Sequence, residues 1–287
     1  MSGAAGVRVG VVTDSTSCLP AELIERHGVT VVPLRVTLGQ RTAVDDGVDA
    51  TPADVTRALR EKFPVRTSRP APAEFAAAFR AVLDAGATHV VSVHLSAALS
   101  GTWESATLAA QDFPHGMVRV VDSRATAMGL GFAVLAAAEC AAAGGSAAAV
   151  QGAAIETVDA TRTMFYVDTL EYLRRGGRVG TAAALFATSL SVKPLLQMVE
   201  GQIVPLEKVR TSARAVARLV ELTTRAAAGG PVDLAVHHLA AAQRAEALAG
   251  QLRESVPDVR ECHVAELGAV IGAHLGPGVL GTVLVRR

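Results

Sequence analysis

Aromatic residues are scarce in this 287-residue chain, at 3% of the total, and neither sign of charge prevails. Half of the residues are hydrophobic, so the interior has to be assembled mainly from Ala, Val and Leu, which suits helices laid on sheets. Lys plus Arg and Asp plus Glu each number 27, and no basic block breaks the balance. The electrostatic footprint that nucleic acid requires is therefore missing. Cysteine is nearly absent as well: Cys18, Cys140 and Cys262 are odd in number and far apart, without the close Cys or His spacings of a zinc site. They read as reduced thiols, with no metal expected and no cofactor in this chain. There is no Gly-x-x-x-x-Gly-Lys phosphate loop and no Gly-x-Ser-x-Gly elbow, so the sequence shows no ATP-hydrolysing site of its own. Gly129 and Gly131 begin a dinucleotide-like pattern, but Val134 stands where its third small residue belongs.

Long apolar runs do not survive inspection either. Residues 267–285 carry no charge, yet they hold five glycines, His274 and a Gly-Pro-Gly at 276–278 that would break a spanning helix. Residues 125–155 are mostly Ala, and Gly144-Gly145-Ser146 divides them into two pieces that read as buried helices. The opening residues, Met1 to Gly10, lack the apolar core of a secretory signal and run into a strand. A cytoplasmic location is the expectation.

What is present is alternation. Val7 to Thr13 is a β-branched run ending in the polar turn Asp14-Ser15-Thr16-Ser17; Thr51-Pro52 and Pro72 start helices, and His89 to Val93 and Met117 to Val121 are strands. A helix from Thr102 to Asp112 separates the last two. This βαβα beat is most simply met by parallel strands with right-handed crossovers. From about residue 156 the pattern changes. Strand Met164 to Val167 is followed by a short helix, then by Leu195 to Val199 and Ile203 to Val209, which flank Glu200-Gly201-Gln202 as a hairpin. Helices at 212–228 and up to Ser255 alternate with strands Val232 to His237, Val259 to Val264 and Val279 to Val285.

In open α/β sheets ligands sit beyond the carboxyl ends of strands, and several polar groups fall there. Leu99-Ser100-Gly101-Thr102 lies between a strand and a helix, so its hydroxyls and free N–H groups outline an anion site, or they cap the helix. Thr67-Ser68-Arg69-Pro70 offers two hydroxyls in a Pro-terminated loop, or a plain turn. Asp14-Ser15-Thr16 and Asp122-Ser123 are site positions or caps. His274 is expected in a glycine-dense loop, Gly272 to Gly278, where backbone can approach a ligand closely. Arg174-Arg175-Gly176-Gly177-Arg178 ends a short helix, either as a simple C-terminal cap or with Arg178 as an oxyanion clamp.

Taken in order, these segments resemble the DegV family: Thr-Asp-Ser-Thr-Ser-x-Leu-Pro at 13–20, Thr-Ser-x-Pro at 67–70, Leu-Ser-Gly-Thr-Trp at 99–103 and Asp-Ser at 122–123. The series continues with Thr-Leu-x-Tyr-Leu-x-x-Gly-Gly-Arg at 169–178, Lys193-Pro194, Gly201 through Arg210, and His-x-Gly-Pro-Gly at 274–278. Cys18, Arg69 and Arg175 depart from the commoner acidic residue, Gln and Lys, and of these only Arg69 adjoins the carboxylate loop. The resemblance implies a two-lobed α/β fold: an N-terminal parallel-sheet α/β/α lobe over 1–155 with carboxylate-binding loops, and a C-terminal α/β lobe with a mixed sheet over 156–287. It implies a buried long-chain fatty acid, such as palmitate, whose carboxyl group meets Thr67, Ser68, Ser100, Thr102 and His274, with Arg178 near a phosphoryl group. The implied partner is a fatty acid kinase subunit that binds ATP and Mg²⁺ and phosphorylates the presented carboxylate. Transient contact with a membrane surface accompanies that role, and no residue of this chain is assigned as catalytic. Two other readings stay open: an acyl hydrolase or transferase using Ser100 and His274, or a lipid storage or transport protein without a kinase.

Overall fold

The computed structural model describes residues 7–179 and 192–287. The chain opens with β1 (Val9–Asp14), a 3-10 turn (Ser15–Ser17), α1 (Ala21–His27) and β2 (Thr30–Val32). It then leaves the main sheet through β3 (Arg35–Leu38), β4 (Arg41–Val44), α2 (Pro52–Arg60) and β5 (Val65–Ser68). It returns through α3 (Pro72–Asp84), β6 (His89–His94), α4 (Thr102–Ala110) and β7 (Val118–Asp122). Two helices, α5 (Met128–Ala142) and α6 (Ala147–Ala160), lead to β8 (Thr161–Tyr166), α7 (Glu171–Arg175), β9 (Lys193–Val199) and β10 (Gln202–Val209). Last come α8 (Ser212–Ala226), β11 (Val232–His238), α9 (Ala242–Ser255), β12 (Val259–Glu266), α10 (Ala269–Leu275) and β13 (Leu280–Arg286).

The strands β2-β1-β6-β7 form a wholly parallel sheet, as the βαβα beat implies. The second sheet, β10-β9-β8-β13-β11-β12, is mixed: β11 and β12 run parallel and its other pairs antiparallel. Its hairpin turns at Glu200-Gly201, both with positive φ (46° and 76°), the conformation a two-residue turn needs to match strand twist. Position 155/156 lies inside α6, whose end passes directly into β8.

Helix α5 explains why so few aromatics suffice. Every residue from Met128 to Ala138 is buried, and one continuous core joins Val9, Val11, Val91, Val93 and Val121 of the parallel sheet to Ala235, Val283 and Val285 of the mixed sheet through α5 and α6. The two Ala-rich helices are a middle layer with a sheet on each side. Helices α3 and α4 cover the outer face of the parallel sheet around Phe75, Phe79 and Ala106, and α8 and α9 cover that of the mixed sheet around Leu219, Leu248 and Leu252. Small side chains let the layers close up: a Cβ on Gly131 would lie 2.9 Å from the backbone oxygen of Ser17 and 2.7 Å from Met128 Sδ.

A third, antiparallel sheet, β4-β3-β5, was not legible. Its strands are four residues each, and charged residues at Arg35, Arg41 and Arg66 blur the period-two pattern. As a result Thr67 and Ser68, expected in a loop, stand on β5 opposite Val36 and Arg35. His274 also departs from its expected loop. It occupies the last turn of α10, a helix masked by glycines that serve close packing: a Cβ on Gly272 would sit 3.1 Å from Leu239.

Intrinsic propensity favours Gly131→Ala by about 1 kcal/mol inside a helix, whereas the layer contact opposes it. We expect the contact to win, with net destabilisation of roughly 1–3 kcal/mol read from urea unfolding midpoints. A more stable Ala variant would refute the close packing described for this layer.

Candidate functional site

Beyond the carboxyl ends of β1 and β6, and between the two large sheets and the small one, lies a cavity of about 940 Å³ measured out to its mouth. Its walls are chiefly apolar. Leu95 and Leu99 come from the parallel-sheet side, Phe165, Met198, Ile203 and Val279 from the mixed sheet and its adjoining turn, and Leu173, Leu267, Ile271 and Leu275 from α7 and around α10. Thr126 and Thr163 add hydroxyls to the wall that have no hydrogen-bond partner among the described residues.

One end is polar and gathers the residues singled out from the sequence. Thr67, Ser68, Ser100, Arg178 and His274 all line it, together with Arg69. Thr67 Oγ1 and His274 Nε2 are 2.8 Å apart. Ser100 Oγ lies 2.9 Å from Thr102 Oγ1 and accepts the Thr102 N–H at 3.3 Å. Thr102 itself is fully buried behind Ser100 and is not part of the wall, so it orients Ser100 from behind. Arg178 is fixed through its Nε donating to Leu99 O at 3.0 Å and through a bond from Nη1 to Gly176 O. Arg69 Nη1 donates to Gly101 O at 3.1 Å and Glu104 Oε2 at 2.9 Å.

Glycine makes this assembly possible. A Cβ on Gly176 would fall 2.2 Å from His274 Nδ1, and one on Gly101 1.8 Å from Arg69 Nη1. The glycine density read from the sequence thus reflects close approach of α7 and α10. From the polar end a second groove continues outward, sharing Thr67, Arg178 and His274 and adding Arg66, Tyr172 and Arg175. Arg66 was not singled out in the sequence, because nothing local marks it, and Tyr172 entered only as a member of the motif at 169–178.

Burial first, and then the Arg178 charge, push His274 down to about 4, so its ring is neutral at neutral pH. His237, deeper in the wall, is also held at about 4 by burial. Its Nε2 accepts the Met128 N–H at 3.1 Å and its Nδ1 faces Ala265 O at 3.1 Å, so it is a satisfied structural histidine pinning the start of α5.

The remaining polar turns serve the fold. Asp14 is buried and accepts from the Thr16 and Leu95 N–H groups, each at 3.0 Å, and from His94 Nδ1 at 3.0 Å. His94 Nε2 in turn lies 2.6 Å from Ser92 Oγ. This Ser–His–Asp chain has the order of a hydrolytic triad, but all three side chains are buried and none lines the cavity. Asp122 accepts from the N–H groups of Ala97 and Arg124, and Ser123 bonds within its own turn. Ser100 and His274 are engaged with Thr102 and Thr67 rather than with each other. Among the described residues no three His, Cys, Asp or Glu side chains gather as a metal site, and no helix is long and apolar enough to cross a membrane.

Fold and cavity together define an α/β protein built around an apolar chamber with a hydroxyl-rich polar end. The chain belongs to the DegV family: the family model, described as an uncharacterised protein of the DegV family, matches residues 8–287. It is 54% identical to a DegV domain-containing protein of Streptomyces coelicolor over 279 residues, 97% of this chain and 99% of the relative. Among solved structures it is similar to a DegV family protein of Thermus thermophilus described by its fatty acid binding, with TM-score 0.93 and 38% identity over 98% of this chain and 100% of the other. It is likewise similar to DegV of Bacillus subtilis, described as a fatty acid binding protein, with TM-score 0.88 and 32% identity over 98% and 100%.

His237 and His274 make the fold acid-sensitive. An unfolded chain protonates histidine near 6.5, so on acidification it takes up these protons before the native state does. Their stabilisation is complete above pH 6.5 and is lost as the pH falls towards about 4. Asp45, raised by burial to about 6, works in the opposite sense and offsets part of this loss. Urea midpoints should therefore drop between pH 7 and pH 4.5. NMR titration of the His274 ring should show no midpoint above 5.

Proposed function

We propose that this chain binds one long-chain fatty acid, tail in the apolar chamber and carboxylate at the Thr67, Ser68, Ser100 and His274 end, and presents it to a separate ATP-dependent fatty acid kinase subunit. The observation that carries the reading is the division of one cavity into apolar walls and a hydroxyl-rich end where His274 is neutral and Arg178 stands beside it. Each buried methylene contributes about 0.8 kcal/mol, so a sixteen-carbon tail supplies on the order of ten kcal/mol before ordering costs. Affinity resides in the tail. The head group meets the neutral donors Thr67, Ser68, Ser100 and His274, while the guanidinium groups of Arg178 and Arg69 at the same end are already engaged by protein acceptors and cancel its charge less than a free bidentate pair would. Its oxygen keeps the nucleophilicity needed to attack a γ-phosphoryl group.

The outer groove suits the phosphoryl end of that step. Arg178, shared by chamber and groove, and Arg66 and Arg175 farther out supply positive charge where a phosphoryl group would approach. In-line transfer also needs ATP and Mg²⁺, which are assigned to the partner. Phe63, 53% exposed between Lys62 and Pro64 and close in sequence to Arg60 and Arg66, offers an apolar tip among cations. That composition suits brief contact with an anionic bilayer in the cytoplasm.

Protein purified without detergent is expected to carry one acyl chain per molecule by native mass spectrometry and organic extraction. Ser100→Ala and Thr67→Ala should each weaken palmitate binding about tenfold, the worth of one hydrogen bond to a charged group. Protein that is empty and takes up neither palmitate nor oleate would sink the reading. With the kinase subunit, ATP and Mg²⁺ added, Arg178→Ala should still bind the fatty acid yet yield little acyl phosphate. A covalent adduct on Ser100 with a fluorophosphonate probe would instead point to an acyl hydrolase.

A further inference from the structure

Helix α10 is seven residues long, too short to hold its shape unaided. Yet Val270, Ile271, His274 and Leu275 all line the chamber. Its placement must come from tertiary contacts: Ala269 and Ala273 pack against Val55 and Leu59 of α2, and each end is held by a hydrogen bond to the small sheet or the turn beyond it. At the start, Asp45 Oδ1 accepts the Ala269 N–H at 2.7 Å, while Oδ2 accepts the Ser15 hydroxyl at 3.0 Å. Ser15 Oγ also accepts the Leu34 N–H at 3.1 Å, and the Asp45 N–H donates to Leu34 O at 2.8 Å. One carboxylate, 5% exposed, therefore ties together the end of β1, the β3–β4 strands and the start of α10.

The far end of the helix meets the same small sheet. His274 contacts Thr67 on β5, and β3 pairs with both β4 and β5. The helix is thus clamped twice to one three-stranded unit, by Asp45 just beyond β4 and by Thr67 on β5. Gly268 permits the first clamp, since a Cβ there would lie 3.0 Å from Asp45 Oδ1.

We propose that Asp45 is a positioning residue for the head-group site: it holds α10 in register with β5, so that a ligand carboxylate finds His274 and Thr67 together. It does not line the chamber and acts only through the helix. Who the ligand is rests on the fatty-acid reading; the geometric claim does not. Cys18 and Asp14 are its titratable neighbours, and the Cys18 thiol, pushed up to about 12 by burial, stays uncharged beside it.

The test uses the whole chain with Asp45→Ala and Asp45→Asn, reading the His274 ring by NMR in the ligand-free protein and the affinity for palmitate and for its methyl ester. Asp45→Ala is expected to raise the His274 midpoint from about 4 towards 6.5 as water reaches the ring. It should weaken palmitate roughly five- to tenfold, the effect of losing a helix cap, and leave the methyl ester unchanged. Asn, which keeps an acceptor at that position, should restore both. A folded Ala variant with the wild-type His274 midpoint and palmitate affinity overturns the proposal, and so does an equal loss for both ligands. If Ala does not fold, Gly268→Ala crowds the same contact from the other side and should give the same pattern at smaller size. Failure of the fatty-acid reading looks different: wild type would bind neither ligand, while the His274 titration would still decide the role of Asp45.

Discussion

The fold depends on one helix being acceptable to two sheets at once. Helix α5 has no solvent face over most of its length, and its neighbours are the parallel sheet on one side and the mixed sheet on the other. A helix in that position cannot carry large residues on every face without forcing the sheets apart. The run Met128 to Ala138 answers with Gly and Ala among a few larger side chains, so dispersion contacts come from close approach rather than from bulk. Its start is held from both sides: the Ala127 N–H donates to Thr16 O at 2.7 Å, and the Met128 N–H to His237 on β11. Those two bonds stand beside the chamber, so the joint between the two large sheets adjoins the wall of the cavity.

The same economy governs the polar end. A charged imidazole or a bidentate guanidinium would bind a carboxylate more strongly but would also quench it. Here His274 is kept neutral by burial, and Arg178 is held by the carbonyls of Leu99 and Gly176. Positive charge is nevertheless abundant a short way out, on Arg66 and Arg175. Moving from chamber to groove, the lining changes from apolar, through hydroxyls, His274 and the engaged Arg69 and Arg178, to a groove that adds Arg66 and Arg175.

Much of this was legible in the chain. The β-branched runs before Asp14 and around 89–93 and 117–121 gave the parallel sheet, and Glu200-Gly201 gave the hairpin, because those signals are local. Ser100, Thr67, Arg178 and His274 could be proposed because hydroxyls and cations follow strands or helix ends in a recognisable order. What escaped is tertiary in origin. The β4-β3-β5 sheet is built from strands too short and too charged to show a period, so the strand position of Thr67 was hidden. Gly272 and Gly276 read as loop residues, although they let a helix pack against Leu239 and Tyr172. Asp45 sits in a turn-like Val-Asp-Asp-Gly, where nothing distinguishes a buried carboxylate from a solvated one. Chamber walls such as Met198 and Leu267 are chosen by where segments distant in sequence meet.

The chamber draws its lining from strand ends, the hairpin and short helices, while α5 from Met128 onward contributes none of it. The middle helix and the chamber wall are therefore written in different parts of the sequence, although Leu95 and Val283 belong both to the central core and to the wall. Substitutions at Met198, Ile203 or Leu275 can reshape the cavity while the helix between the two large sheets stands unchanged. The shape of the chamber can thus change a good deal before the architecture around it has to.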